Sequence, residues 1–197
     1  HKGGLLAPAF KGKGSHLDAS AYRSLLVSSH IGKVLHRTVR QTQASLLESF
    51  MEPQQHGGKR HVPVTLGLHE ARAYLRGNQQ KSRSVALLLV DLTEAFYRVL
   101  RPLAVGCSFA DDEIAALAKR LNLDTDTLHQ LHAHLREDPA IAQAGMQPHY
   151  QNVIQALHTD TFFQLPGQSN CSRTTIGSRP GDSFADAAFS FLFARVM

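Results

Sequence analysis

Cysteine is scarce in this chain. Cys107 and Cys171 are the only two among 197 residues, far apart in sequence. They make neither a disulfide framework nor a zinc pattern, so a reduced, intracellular setting (nucleus or cytoplasm) is expected. Long apolar runs are also missing. No segment approaches the roughly 18 residues of a membrane span, and no membrane partner is expected. There is no internal repeat and no low-complexity tract, which sets aside repeat arrays and biased tails. Acidic residues are sparse in the first half, where lysines and arginines recur from Lys2 to Arg83. The net charge of +5 suits a polyanion partner, and the first half is its electropositive part.

What is present is globular in composition, 43% apolar and 19% charged. The length allows one full domain or parts of two. The chain is organised around residues 84–100, S-V-A-L-L-L-V-D-L-T-E-A-F-Y-R-V-L. Six apolar residues, 85 to 90, run unbroken to Asp91 and predict a strand buried on both faces. Leu92, Ala95, Phe96, Val99 and Leu100 then fall at helical spacing, stopped by Pro102. Asp91 is therefore expected at the carboxyl end of a central strand, facing a cleft. The plainer alternative is a helix cap.

Residues 1–20 predict a short strand leading into a basic glycine turn, K-G-K-G-S. Its lysines and backbone N–H groups can approach an anion together, although such turns are also ordinary surface. Residues 21–52 predict an amphipathic helix with a basic side, ended by Pro53. Residues 53–68 read as a loop whose G-G-K-R can track a phosphate backbone or merely connect. A short helix is predicted over 69–76 and helices over 108–147, with Ser108 or Asp111 and Asp124 or Thr125 as caps. His129, His132 and His134 are spaced to spread around a helix rather than converge on a metal. A helix over 149–158, a β-hairpin over 160–176, a glycine-bounded loop G-S-R-P-G-D-S at 177–183 and an apolar helix from Phe184 to Met197 follow. That uncapped ending and the start at His1 lead to the expectation of a piece of a longer protein, cut at both ends.

In this order the pieces resemble the reverse transcriptase domain of non-LTR (LINE-type) retrotransposons. K-G-K-G-S at 11–15 with A-Y-R-S-L-L at 21–26 resembles the family's lysine-glycine block followed by N-Y-R-P-I-S-L. H-I-G-K-V-L-H-R-T-V at 30–39 is similar to its next helix, and Q-H-G-G-K-R before Thr65 is a faint echo of its glycine-rich segment. D-L-T-E-A-F-Y-R-V at 91–99 resembles the first catalytic motif, D-x-x-K-A-F-D-x-V. G-S-R-P-G-D-S-F-A-D at 177–186 resembles the loop G-x-R-Q-G-D-P-L-S-P.

The resemblance implies an α+β, right-hand polymerase fold: fingers and a partial palm, with helices packed on a small, mainly antiparallel sheet. Residues 1–83 would be the fingers-like basic region and 84–197 the partial palm. It implies an RNA-directed DNA polymerase that uses an RNA template, a DNA primer and deoxynucleoside triphosphates, with two Mg²⁺ ions (Mn²⁺ as a substitute). Asp91 would be the first metal carboxylate and catalytic residue, with the carbonyl of Leu92 beside the second ion. Phe96 would lie under the sugar and exclude a 2′-hydroxyl. Lys11 or Lys13, and Arg23, would hold the triphosphate, while Arg179 and Gly181 belong to the nucleotide-side loop. Glu94, Tyr97, Pro180 and Ala185-Asp186 depart from the family pattern. The family's later F/Y-A-D-D hairpin is missing after the loop. F-A-D-D at 109–112 precedes a helix pattern and reads as first-turn charge. The fragment alone is thus expected to be inactive, lacking the rest of the palm, the thumb and an endonuclease domain. A non-catalytic nucleic-acid-binding remnant is the alternative.

Overall fold

Alternation, not helical spacing, governs residues 22–28. Tyr22, Ser24, Leu26 and Ser28 turn inward while Arg23, Leu25 and Val27 are exposed. In the computed structural model, which describes residues 2–197, this stretch is strand β2 (Tyr22–Ser28) and not the start of the expected helix. It pairs antiparallel with β1 (Gly3–Phe10), from Gly4 opposite Ser28 to Phe10 opposite Tyr22. Lys11 N–H donates to Ala21 O at 2.8 Å and closes the hairpin. A partner strand in register satisfies the backbone groups that a helix would otherwise pair internally. Helix α1 (His30–Thr42) begins only after Ser29, whose hydroxyl accepts from Gly32 N–H at 3.2 Å. Helix α2 (Ala44–Phe50) follows.

The other edge of β1 takes β3 (Thr161–Gln164) in parallel, and β3 pairs antiparallel with β4 (Cys171–Thr174). The sheet order is β2-β1-β3-β4. The predicted hairpin at 160–176 is therefore present, and two of the three strand pairings are antiparallel. Helices and a small mixed sheet together fit the expected α+β class.

The remaining helices are α3 (Thr65–Gln80), α4 (Arg101–Val105), α5 (Asp111–Leu121), α6 (Thr125–Arg136), α7 (Ala140–Gln143), α8 (Pro148–His158) and α9 (Ala185–Val196). Asp124 caps α6 by accepting from Thr127 N–H at 2.7 Å. F-A-D-D does open a helix: Asp111, Asp112 and Glu113 form the acidic first turn of α5, and Glu113 accepts from Ala110 N–H. The core gathers on α9. Its Ala187, Ala188 and Phe191 pack with Ile141 of α7, Ile154 of α8, Val105 of α4 and Leu47 of α2. Burying each large apolar side chain there contributes about 1.5–3 kcal/mol. Among the described residues, no helix is long and apolar enough to cross a membrane.

The expected central strand is not formed. Residues 83–92 lack regular structure, and Leu88 and Leu89 are 85% and 83% exposed. An apolar run becomes a strand only where neighbours accept its N–H and C=O groups, and none of the four sheet strands pairs with it. The expected helix over 92–100 is reduced to one 3-10 turn, Ala95–Tyr97. Pro102 lies inside the first turn of α4, where its missing N–H is harmless, instead of ending a helix.

Candidate functional site

Three segments distant in sequence meet at one seam. Leu26 N–H on the outer edge of β2 donates to Pro180 O of the glycine loop at 2.8 Å. The loop is bonded in turn to the 3-10 turn and the residues after it: Ser178 N–H to Phe96 O at 2.7 Å and Gly177 N–H to Val99 O at 2.8 Å. The Tyr97 hydroxyl donates to Ser24 O on β2 and closes the triangle. Burial raises the Tyr97 pKa, opposed by that bond. The open edge of β2 is thereby bonded at two points, Leu26 by the loop and Ser24 by Tyr97.

Gly181 marks the tightest point. Its φ is +101°, and a Cβ there would lie 2.5 Å from Leu26 O. Only glycine meets both demands. Gly181→Ala is expected to destabilise the fold by about 3 kcal/mol and to strip hydrogen-exchange protection from the Leu26 amide. Unchanged Leu26 protection in that variant would mean the loop is not held by this seam.

A cavity of about 700 Å³ opens beside the seam, walled by Lys11, Arg23, Glu94, Phe96, Tyr97 and Pro180. Three residues of the sequence-derived nucleotide set, Lys11, Arg23 and Phe96, thus face one space. Lys11 extends from the end of β1, its Nζ 2.8 Å from Ser20 O. Arg23 is exposed on β2 and joins no ion pair among the described residues. Glu94 is the one acid in the wall. It approaches Arg98 at 3.6 Å in an exposed pair, an arrangement worth little energy. Two cations against one anion leave the cavity suited to a phosphate, which a planar guanidinium grips well.

Phe96 also borders a second cavity, of about 480 Å³, with Arg37, Arg40, Gly181 and Asp186. Its ring packs on Phe189 of α9 at 5.2 Å and remains 38% exposed. Arg40 is already engaged there, its guanidinium forked onto Asp186. Behind this cavity His36 of α1 meets Asp182 of the loop, Nδ1 to Oδ1 at 2.5 Å, with both side chains buried. Asp182 also accepts from Phe184 N–H at 3.1 Å and lies 3.4 Å from the Arg179 guanidinium. Burial pushes the Asp182 carboxyl up, but the His36 bond and the charges of His36 and Arg179 hold it below the usual carboxylate range.

The other sequence-derived residues fall elsewhere. Lys13 is exposed in the glycine turn and lines neither cavity. Arg179, expected on the nucleotide side, is turned inward: it is buried, donates to Leu157 O at 3.2 Å and pairs with Asp182. Those interior partners explain its direction. Asp91 and Leu92 are exposed in the irregular stretch and line neither cavity, so the expected placement of the acid at a buried strand end is corrected. Magnesium seeks about six oxygens, usually from one or two carboxylates together with phosphates and water. Among the described residues, no three His, Cys, Asp or Glu side chains converge. Asp91 with the Leu92 carbonyl supplies one carboxylate and one carbonyl oxygen, not a complete ligand set.

His36 and Asp182 were not singled out from the sequence. Asp182 stood within the quoted glycine loop and His36 within the quoted helix, but nothing local signals that residues 146 apart form a pair. The fold and site together define a class of arrangement: a β-hairpin and a glycine loop enclosing a basic cavity with an aromatic in its wall. No known family model, curated protein or solved structure matches the chain.

Proposed function

We propose that this chain is the fingers and part of the palm of an RNA-directed DNA polymerase of the non-LTR retrotransposon kind. Its parent would copy an RNA template from a DNA primer with deoxynucleoside triphosphates and magnesium. The supporting observation is the shared cavity: Lys11 and Arg23 from the first hairpin, Phe96 from the motif D-L-T-E-A-F and Pro180 from the glycine loop wall one space. These are the segments that the resemblance assigns to triphosphate, sugar and nucleotide. Lys11 and Arg23 would take the phosphates, and Phe96 would restrict the sugar.

Titration of the chain with a fluorescent deoxynucleoside triphosphate tests this. Arg23→Ala is expected to weaken binding about tenfold, the equivalent of one charge-assisted hydrogen bond of about 1.4 kcal/mol. Phe96→Ala is expected to narrow the preference for deoxy- over ribonucleotide. Binding that ignores both substitutions would overturn the assignment of this cavity. A second reading, a nucleic-acid-binding remnant without catalysis, is favoured by the exposed Asp91 and by Glu94 in the cavity wall. It predicts that the chain binds oligonucleotide but no triphosphate.

A further inference from the structure

The charge of this molecule is segregated. The first 47 residues hold seven lysines and arginines against one acid, Asp18, a balance of +6 where the whole chain has +5. The fold concentrates part of that excess at the tip of the β1–β2 hairpin, where Lys11 and Lys13 open the turn that follows β1. Asp18 is spent locally, accepting from Ser20 N–H at 2.8 Å and from the Ser20 hydroxyl at 2.6 Å. It therefore faces the turn's own donors and neutralises neither lysine by a direct pair.

The same tip carries stacked rings. Phe10 and Tyr22 are the last cross-strand pair of the hairpin, with centroids 5.4 Å apart. The imidazole of His16 lies on Phe10, with centroids 4.0 Å apart and planes 21° off parallel. The Tyr22 hydroxyl donates to His16 O at 3.0 Å and fixes that part of the turn against the strands. His16 is exposed, and the neighbouring Leu17 is 99% exposed. An exposed ring stacked on a strand residue, with Lys11 and Lys13 nearby in sequence and in no ion pair among the described residues, presents a flat face and positive charge to solvent. It matches a ligand that alternates planar bases with phosphates.

We infer that the hairpin tip is a docking platform for single-stranded nucleic acid, with an unpaired base stacking on the His16–Phe10 pair and flanking phosphates held by Lys13 and Lys11. The platform adjoins the cavity assigned to the triphosphate: Lys11 and Tyr22 line both, whereas Phe10, Lys13 and His16 do not line the cavity. It deepens the proposed function by giving the unpaired strand a place, and it rests on that reading only for the strand's role as template.

The test is fluorescence anisotropy of a labelled 12-nucleotide oligouridine, and of the same length of duplex, titrated with the whole chain. His16→Ala is expected to weaken binding to the single strand about tenfold and to leave duplex binding unchanged. Because Tyr22 bonds the backbone carbonyl of residue 16, the turn survives that substitution, and circular dichroism checks it. Lys13→Gln is expected to reduce the slope of log affinity against log salt by roughly 0.7. Triphosphate binding should be the same in wild type and both variants, which separates this platform from the cavity. Equal affinity of His16→Ala and wild type for the single strand would overturn the stacking proposal. So would a tenfold loss that is matched on duplex.

Discussion

Arg101→Met is expected to lower the free energy of unfolding by about 4 kcal/mol, the cost of leaving several buried acceptors short of a donor at about 1–3 kcal/mol each. Arg101 opens α4 and is 2% exposed. Its Nε donates to Gly177 O at 2.8 Å. One terminal nitrogen reaches His158 O at 3.0 Å, Thr161 Oγ1 at 2.6 Å and Thr174 O at 2.9 Å. The other reaches Thr174 Oγ1 and Ile176 O, both at 3.1 Å. One guanidinium thus ties the end of α8, both strands of the second hairpin and the base of the glycine loop to α4. No carboxylate among the described residues pairs with it. Burial pushes its pKa down to about 10; the Cys107 thiol pulls it back and the Arg179 charge lowers it further. It stays charged at neutral pH.

Methionine fills much of the same volume and takes the guanidinium donor from four carbonyls, of which Thr174 O keeps the Thr161 hydroxyl at 3.0 Å. Each stranded buried acceptor costs about 1–3 kcal/mol, reduced where a hydroxyl or water steps in. Arg101→Lys should recover less than half of the loss, because three donors on one atom cannot serve acceptors spread around a planar fork. Urea unfolding of the three proteins measures this. A loss below about 1.5 kcal/mol for Arg101→Met would show that the carbonyls rearrange freely and that Arg101 is no keystone.

Acidification from pH 7 to pH 5 is expected to remove about 2 kcal/mol of stability through His158 alone. Its imidazole is buried, and Nδ1 lies 2.8 Å from Ile154 O as donor. Burial pushes its pKa down to about 4; the Ile154 bond and Asp182 oppose that, while the Arg101 and Arg179 charges add to it. The folded pKa lies below the ordinary value near 6.5, so the unfolded chain takes up a proton that the folded chain refuses. Stability is complete above pH 6.5 and falls by about 1.4 kcal/mol per pH unit below it. The loss from this group ends near the folded value of about 4. Asp182, held low, adds its own loss only below the ordinary carboxylate value of 3.8, where the unfolded carboxylate takes up a proton that the native one refuses. In His158→Gln, which retains a donor for Ile154, the difference in urea midpoint between pH 7 and pH 5 should shrink by more than half. A variant with the wild-type pH slope would place the acid sensitivity elsewhere.

Several features could be read from the residues because their causes are local. Asp124 caps α6 through a bond three residues ahead, the acids of F-A-D-D sit in the first turn of α5, and the hairpin over 160–176 turns where Pro and Gly are written. The strand at Tyr22–Ser28 was hidden because its leucines also fit a helical stripe with Ile31, Val34 and Val39, and only β1 lying alongside decides between the two periods. The run at 85–90 failed in the opposite sense. It has the composition of a buried strand, but strand formation needs acceptors that belong to other segments, and here none comes. For the site, the glycine loop was recognisable and so were Lys11, Arg23 and Phe96, yet the inward turn of Arg179 depends on Asp182 and the Leu157 carbonyl.

By itself the sequence determined the Asp124 cap, the turns, the apolar stripe of α9 and the basic bias of the first 47 residues, while the cap expected at Ser108 or Asp111 fell to Ala110. These are properties of neighbours a few positions apart, or of composition. The tertiary structure alone decided that the first hairpin, the 3-10 turn at Phe96 and the glycine loop share a cavity, that Arg101 stands where four other chain segments meet its donors, and that Asp91 lies on open surface. Each of those depends on backbone groups far apart in the chain finding or missing one another, and no local pattern encodes that meeting.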